Sequence, residues 1–215
     1  MSFDLAAHLG LVTRTVHNLE RDGKPAKAVI ASCVYDTDAA DLWDALTNAE
    51  RLPRWFLPVS GDLRLGGRYQ FAGNAGGTIT ECVPKKRLAA TWEFAGSVTW
   101  VTITLSSEGA GTRLQLEHVA PVDPRWGQFG PGAVGVGWEL GLGGLALHIA
   151  APGSHIDPAE GASWPLTPQG KEFVRRSTTG WGEADIAAGE DPTAARAAAE
   201  TTRRFYTGEA APAAT

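Results

Sequence analysis

Residues 34–58 read VYDTDAADLWDALTNAERLPRWFLP. The apolar start is the end of a strand, and Asp36, Thr37 and Asp38 stop it. Asp38 offers a carboxylate to the first free amides of a helix predicted over residues 39–46, whose Leu42, Trp43 and Leu46 form an apolar stripe. Residues 48–54 read as a second short helix, ended by Pro53 and Trp55. A strand, a capped helix pair and an aromatic turn in succession predict the rim of a cavity, with Trp55 near its mouth.

Upstream, Ser2 is placed to cap a short helix ending at Gly10. The alternating run VTRTVHNLE then meets Asp22-Gly23, a two-residue hairpin signal, and the return strand covers residues 27–35. Downstream, five strands are expected at 66–72, 77–83, 87–94, 97–105 and 112–119, separated by short turns that imply an antiparallel meander. Leu114, Leu116 and His118 share one face of the last strand, opposite Arg113, Gln115 and Glu117. Leu88, Ala90 and Trp92 share a face, as do Val101, Ile103 and Leu105, while Trp100 points outward against C-terminal helices.

The inward face needs a cover, and residues 133–151, AVGVGWELGLGGLALHIAA, supply a long apolar helix. At roughly 28 Å it has the length to span a bilayer. Glu139 near its middle, His148 and five glycines instead predict a helix buried in protein. Gly137, Gly141 and Gly144 form a small-residue stripe for close backbone approach, beside a bulky stripe of Trp138, Leu142, Leu145 and Ile149. Thr167-Pro168 and Asp191-Pro192 each open a further helix, the second stopped by Gly208. The expected organisation is an N-terminal helix and hairpin strand (1–26), a main domain (27–151), an irregular linker (152–166), a C-terminal helical extension (167–208) and a frayed tail (209–215).

Composition narrows the function classes. The 215 residues are 43% hydrophobic, enough for one substantial core, and the net charge of −5 gives no footprint for nucleic acid or an anionic membrane. Cys33 and Cys82 sit in predicted strands without metal-ligand spacing and read as buried free thiols. The N-terminus, MSFDLAAHLG, has neither the basic start nor the apolar run of a signal peptide, so cytoplasmic residence is expected.

The order of strand, helix pair, meander and long helix resembles the START-like helix-grip superfamily (SRPBCC), which includes the birch pollen allergen fold and polyketide cyclases. Within it the chain is most similar to bacterial relatives of the heat-shock-protein ATPase activator domain. The residues that carry the likeness are DLWDALT (41–47), Arg54-Trp55-Phe56, Gly66-Gly67-Arg68-Tyr69, Gly77-Thr78-Ile79, Leu88 to Trp92, GTRL (111–114) through His118, and Gly137-Trp138. The resemblance implies an α+β helix-grip fold: a curved antiparallel sheet of seven strands wrapped around the long helix, with a pocket between them for an apolar or amphipathic small molecule. The hairpin and the C-terminal helices lie outside that common core.

Gly130-Pro131-Gly132-Ala133-Val134-Gly135 matches a dinucleotide-binding pattern, but no strand precedes it and Pro131 lacks an amide, so it reads as a helix entrance. No metal-ligand spacing and no cofactor motif is found. Eight tryptophans suit either a lined pocket or a filled core. The leading expectation is a carrier or sensor that binds a small hydrophobic ligand through Trp55, Trp92, Phe129, Trp138 and Leu142, with His118 orienting a polar group. A cyclase, aromatase or hydrolase using His118 with Glu93 or Glu139 is the alternative; otherwise His118 is a core histidine bonded to backbone or Trp138. A co-chaperone-like interaction protein is the third reading, and a homodimer is the expected protein partner.

Overall fold

The computed structural model describes residues 5–209. Ser2 and residues 210–215 of the tail lie outside the described residues. A short helix α1 (Leu5–Leu11) leads into β1 (Thr13–Arg21) and β2 (Lys24–Tyr35), joined at Asp22-Gly23. Both turn residues have positive φ, 52° and 72°, the twist a two-residue hairpin needs. Then follow α2 (Ala39–Thr47), a 3-10 turn (Leu52–Arg54), β3 (Val59–Gly61), β4 (Arg68–Phe71), β5 (Gly76–Val83), β6 (Arg87–Phe94), β7 (Ser97–Glu108) and β8 (Gly111–Pro121). The helices α3 (Pro124–Phe129), α4 (Gly132–Ala150), α5 (Pro158–Ser163), α6 (Pro168–Ala187) and α7 (Pro192–Tyr206) complete the chain.

The strands form one antiparallel sheet of eight, in the order β1-β2-β8-β7-β6-β5-β4-β3. This is one strand more than the resemblance implies. Three-residue β3 is too short to show any alternation in the sequence; it pairs with β4, from Val59 opposite Phe71 to Gly61 opposite Tyr69. A register shift between Ile79 and Glu81 bends β5 against β6 and helps the sheet curl.

The concave face carries the core. Val29, Ala31, Cys33 and Tyr35 of β2, Val101 and Leu105 of β7, and Leu114 and Leu116 of β8 are buried there against α2 and α4. The convex face has a smaller cluster of Ala26, Ala28 and Val119, flanked by Leu19, Ile30 and Trp100. Trp100 does face outward, but its cover is Arg21, whose guanidinium lies 4.2 Å from the ring centre, and not the C-terminal helices. Arg21 ends β1, three places along the sheet from β7, so the contact runs across the convex faces of β2 and β8.

Helix α4 is apolar all round because it is covered on more than one side. Val136, Leu142 and Leu145 face the sheet side of the core, and α6 packs along another flank, in contact with β1 as well. It is the one described helix long and apolar enough to cross a membrane, and half of its apolar stretch is buried inside the protein. Gly135 lets the fully buried Trp181 of α6 rest on the α4 backbone: a Cβ there would sit 2.3 Å from the ring. The expected small-residue stripe faces three different neighbours. Gly144 meets the Trp55 carbonyl, Gly141 the Phe56 ring and Gly137 the Tyr206 hydroxyl.

Buried charge fastens the extensions. Glu139, 1% exposed, pairs with Arg14 of β1 at 2.6 Å and accepts a hydrogen bond from the Ser177 hydroxyl of α6. Lys27 of β2 reaches Asp185 at 2.8 Å and Glu190 at 3.0 Å. Thr167 and Asp191 cap α6 and α7 through their side chains, as their positions before proline predict. The stretch 152–166, read as irregular, contains α5, capped by Asp157, and a 3-10 turn over Trp164–Leu166.

A cavity walled by aromatic rings

Between the concave face of β4–β7 and the segment α2 to Phe56 lies a cavity of about 250 Å³. Its position follows from local chemistry. Asp38 accepts hydrogen bonds from the amides of Ala40 and Asp41, starting α2 so that Leu42 and Ala45 turn inward and Trp43, Leu46 and Thr47 reach the cavity. The 3-10 turn then redirects the chain, and Trp55 donates its indole N–H to the Ala45 carbonyl at 3.0 Å. Arg51 locks this arrangement from outside, bonding Asp41 at 2.8 Å, Asp44 at 3.0 Å and His148 Nε2 of α4 at 3.2 Å. Burial, with Arg51 and Arg54 adding to it, lowers the His148 pKa and keeps that ring an acceptor.

The wall has two characters. One part is aromatic: Trp43, Trp55, Phe56, Tyr69, Phe71, Trp92 and Trp138. Phe56 and Trp138 lie near-parallel with centroids 6.2 Å apart, Trp92 and Trp138 at 4.9 Å, and Phe71 meets Phe56 edge-on at 5.1 Å. The other part is aliphatic, with Leu63, Ile79, Leu88 and Ile103 among its members. Leu63 is 36% exposed and stands where the cavity meets solvent. Among the described residues no lysine, arginine, aspartate, glutamate or histidine lines it. The titratable groups that do are Tyr69, whose hydroxyl donates to the Thr91 carbonyl and whose pKa burial raises, and Cys82.

Of the residues singled out from the sequence, Trp55, Trp92 and Trp138 come together in this wall. His118 stands one layer behind it, 3% exposed. The Trp138 indole N–H donates to His118 Nδ1 at 2.9 Å. An indole nitrogen is only a donor, so Nδ1 is bare and the proton sits on Nε2, which donates to Thr99 Oγ1 at 2.9 Å. The Thr99 hydroxyl in turn donates to the Trp92 carbonyl at 3.0 Å. Burial lowers the His118 pKa to about 4, consistent with a neutral ring.

The remaining candidates are elsewhere. Neither carboxylate considered as a partner for His118 reaches it: Glu93 pairs with Arg68 at 2.7 Å on the surface, and Glu139 with Arg14. Phe129 packs against Phe205 of α7 with centroids 5.8 Å apart. Leu142, one helical turn beyond Trp138, is buried in the core, and its carbonyl accepts from the Tyr35 hydroxyl at 3.0 Å. Sequence reasoning missed Phe56, Tyr69 and Phe71 as wall residues; Gly141 opposite Phe56 was the one hint. Cys33 is buried, with its thiol pKa pushed up by burial to about 11, whereas Cys82 is half-buried at the cavity. Gly130 to Gly135 is a helix entrance, with α4 starting at Gly132. Among the described residues no group of three or more His, Cys, Asp and Glu side chains is placed to hold a metal ion.

A curved antiparallel sheet gripping a long helix, with a side cavity closed by a helix-and-turn segment, defines a helix-grip protein. Residues 36–150 match the model of the family described as Activator of Hsp90 ATPase homolog 1-like protein, and the chain belongs to that family. It is similar to CalU16 from Micromonospora echinospora, at 30% identity and a TM-score of 0.65 over 83% of this chain and 99% of that one. That share exceeds residues 36–150, so the likeness takes in part of the extensions. The fold is also that of DynU16, a protein in the dynemicin biosynthetic locus (21% identity, TM-score 0.52, 58% of this chain and 48% of that one). It is shared with the Aha1 dimer from Colwellia psychrerythraea (14%, 0.51, 59% and 98%). No curated protein matches the chain.

Proposed function

We propose that the protein binds a neutral, apolar small molecule with an aromatic ring system in the cavity beneath α2, as a carrier or sensor acting in the cytoplasm. The observation that carries this reading is a wall without charge, in which seven aromatic side chains meet aliphatic ones around about 250 Å³. Burying an arene there removes its apolar surface from water at about 25 cal/mol per Å², with no ionised group to desolvate. Free thiols at Cys33 and Cys82 suit a reducing compartment.

The test is saturable quenching of tryptophan fluorescence by 2-naphthol, compared with the Ala90→Phe variant. Ala90 lines the cavity, and a phenyl group there fills it. The wild type is expected to saturate and the variant to lose at least tenfold in affinity while keeping its far-UV spectrum. Linear quenching, or equal affinity in both proteins, overturns the reading.

A further inference from the structure

Three polar aromatic groups in the cavity wall are tied down, and one tie differs in kind. Trp55 and Tyr69 are anchored on the main-chain carbonyls of Ala45 and Thr91. Trp138 is anchored on a side chain, His118, whose other nitrogen is fixed by Thr99, whose hydroxyl is fixed by the Trp92 carbonyl. Each donor in this chain has one acceptor, and the direction of every bond follows from the indole being unable to accept. The chain joins α4, β8, β7 and β6, and it begins and ends on residues of the cavity wall.

The Trp138 side chain has no other hydrogen bond among the described residues, and it is only half-buried. Its second side-chain torsion is of the broad terminal kind, so without that bond the ring can turn its N–H away. The bond to His118 selects one of these poses, the one in which Trp138 lies near-parallel to Phe56, 16° between ring planes. We infer that His118 is a positioning residue of the cavity, which never touches the ligand but holds the Trp138 ring in the pose that accepts a flat aromatic molecule in preference to a flexible chain. The inference rests on the cavity being a binding site, and it adds that selectivity resides in a residue behind the wall. His118 acts here as a neutral acceptor, not as an acid or base.

The experiment uses the full chain, with 2-naphthol as the flat probe and 1-octanol as the chain-like one, titrated calorimetrically. His118→Leu removes the acceptor at similar volume; His118→Asn keeps an acceptor oxygen close to the position of Nδ1. Expected are a tenfold or greater loss of 2-naphthol affinity in His118→Leu, a change of less than threefold for 1-octanol, and recovery to within threefold of wild type in His118→Asn. A role in core packing alone would weaken both probes together. In parallel, hydrogen exchange of the Trp138 indole N–H, followed by NMR on tryptophan-labelled protein, should be slow in the wild type and at least tenfold faster in His118→Leu. Equal loss for both probes, no loss, or unchanged exchange overturns the inference. If His118→Leu does not fold, Thr99→Val carries the same comparison, with at least a threefold selective loss expected. If the wild type takes up neither probe, the cavity reading fails, and the exchange measurement alone decides whether His118 positions Trp138.

Discussion

Gly135→Ala places one methyl group between two helices, and its consequence can be worked out from distances. In an isolated helix the change stabilises by about 1 kcal/mol. Here the new Cβ would stand 2.3 Å, 2.4 Å and 2.7 Å from three atoms of the Trp181 indole. Ordinary carbon contacts are about 3.5–4.0 Å, so the ring must retreat by more than 1 Å. Trp181 is 1% exposed and belongs to the main core, which leaves little room to do so. Overpacking of this kind costs about 1–3 kcal/mol, and full expulsion of the ring about 3–5 kcal/mol. After the helix gain, the variant is expected to lose about 2 kcal/mol. In a Trp181→Leu background the obstruction is gone, and the same Gly135→Ala change should be neutral or stabilising by up to about 1 kcal/mol. Urea unfolding of the four proteins, followed by far-UV circular dichroism, gives the coupling, expected at about 2–3 kcal/mol. If Gly135→Ala shifts stability by the same amount in both backgrounds, the proposed ring-on-backbone contact between α4 and α6 is wrong.

His118 is depressed from its ordinary value near 6.5 to about 4. The unfolded chain therefore binds a proton first as pH falls, and the associated stability, up to about 3 kcal/mol, is full above pH 6.5 and lost progressively toward pH 4. The difference in urea stability between wild type and His118→Asn, taken at pH 7 and pH 4.5, should shrink by at least about 1 kcal/mol; a constant difference would show that His118 titrates normally. Gly144→Ala would bring a Cβ to 2.6 Å from the Trp55 carbonyl oxygen and push the aromatic turn outward. Its expected effect is a fivefold or greater loss of 2-naphthol affinity with a red-shifted emission maximum, and unaltered binding would mean that the turn does not shape the cavity.

What could be read from the chain was what neighbouring residues decide. Asp22-Gly23 sets a turn by its own φ preferences, and Asp38, Thr167 and Asp191 cap helices through amides two or three residues away. Strand alternation put Leu114, Leu116 and His118 on the buried face because side chains on a strand must alternate. What escaped was long-range. Glu139 and His118 are separated by α4 turning through different neighbours: Trp138 faces the sheet at the cavity, while the next residue faces Arg14 and Ser177. Nothing in local spacing says which partner a helix residue meets. Leu142 shares the stripe of Trp138, yet by the next turn the space is already occupied by the Tyr35 hydroxyl end and the core. Phe129 lies just before α4 in the chain, but the α7 extension claims it.

The strand order also has a consequence in time. The main partner of β2 in the sheet is β8, with Ala26 opposite Pro121 and Tyr35 opposite Thr112. During synthesis β2 leaves the ribosome well before β8, and the edge that pairs with it stays open until residues 112–121 emerge. A two-stranded hairpin is marginal alone, so the nascent chain must carry Val29, Ala31 and Cys33 uncovered through most of the meander. Completion of the sheet is therefore a late event for which β1 and β2 wait, and their concave face is covered only when α4 follows β8 out.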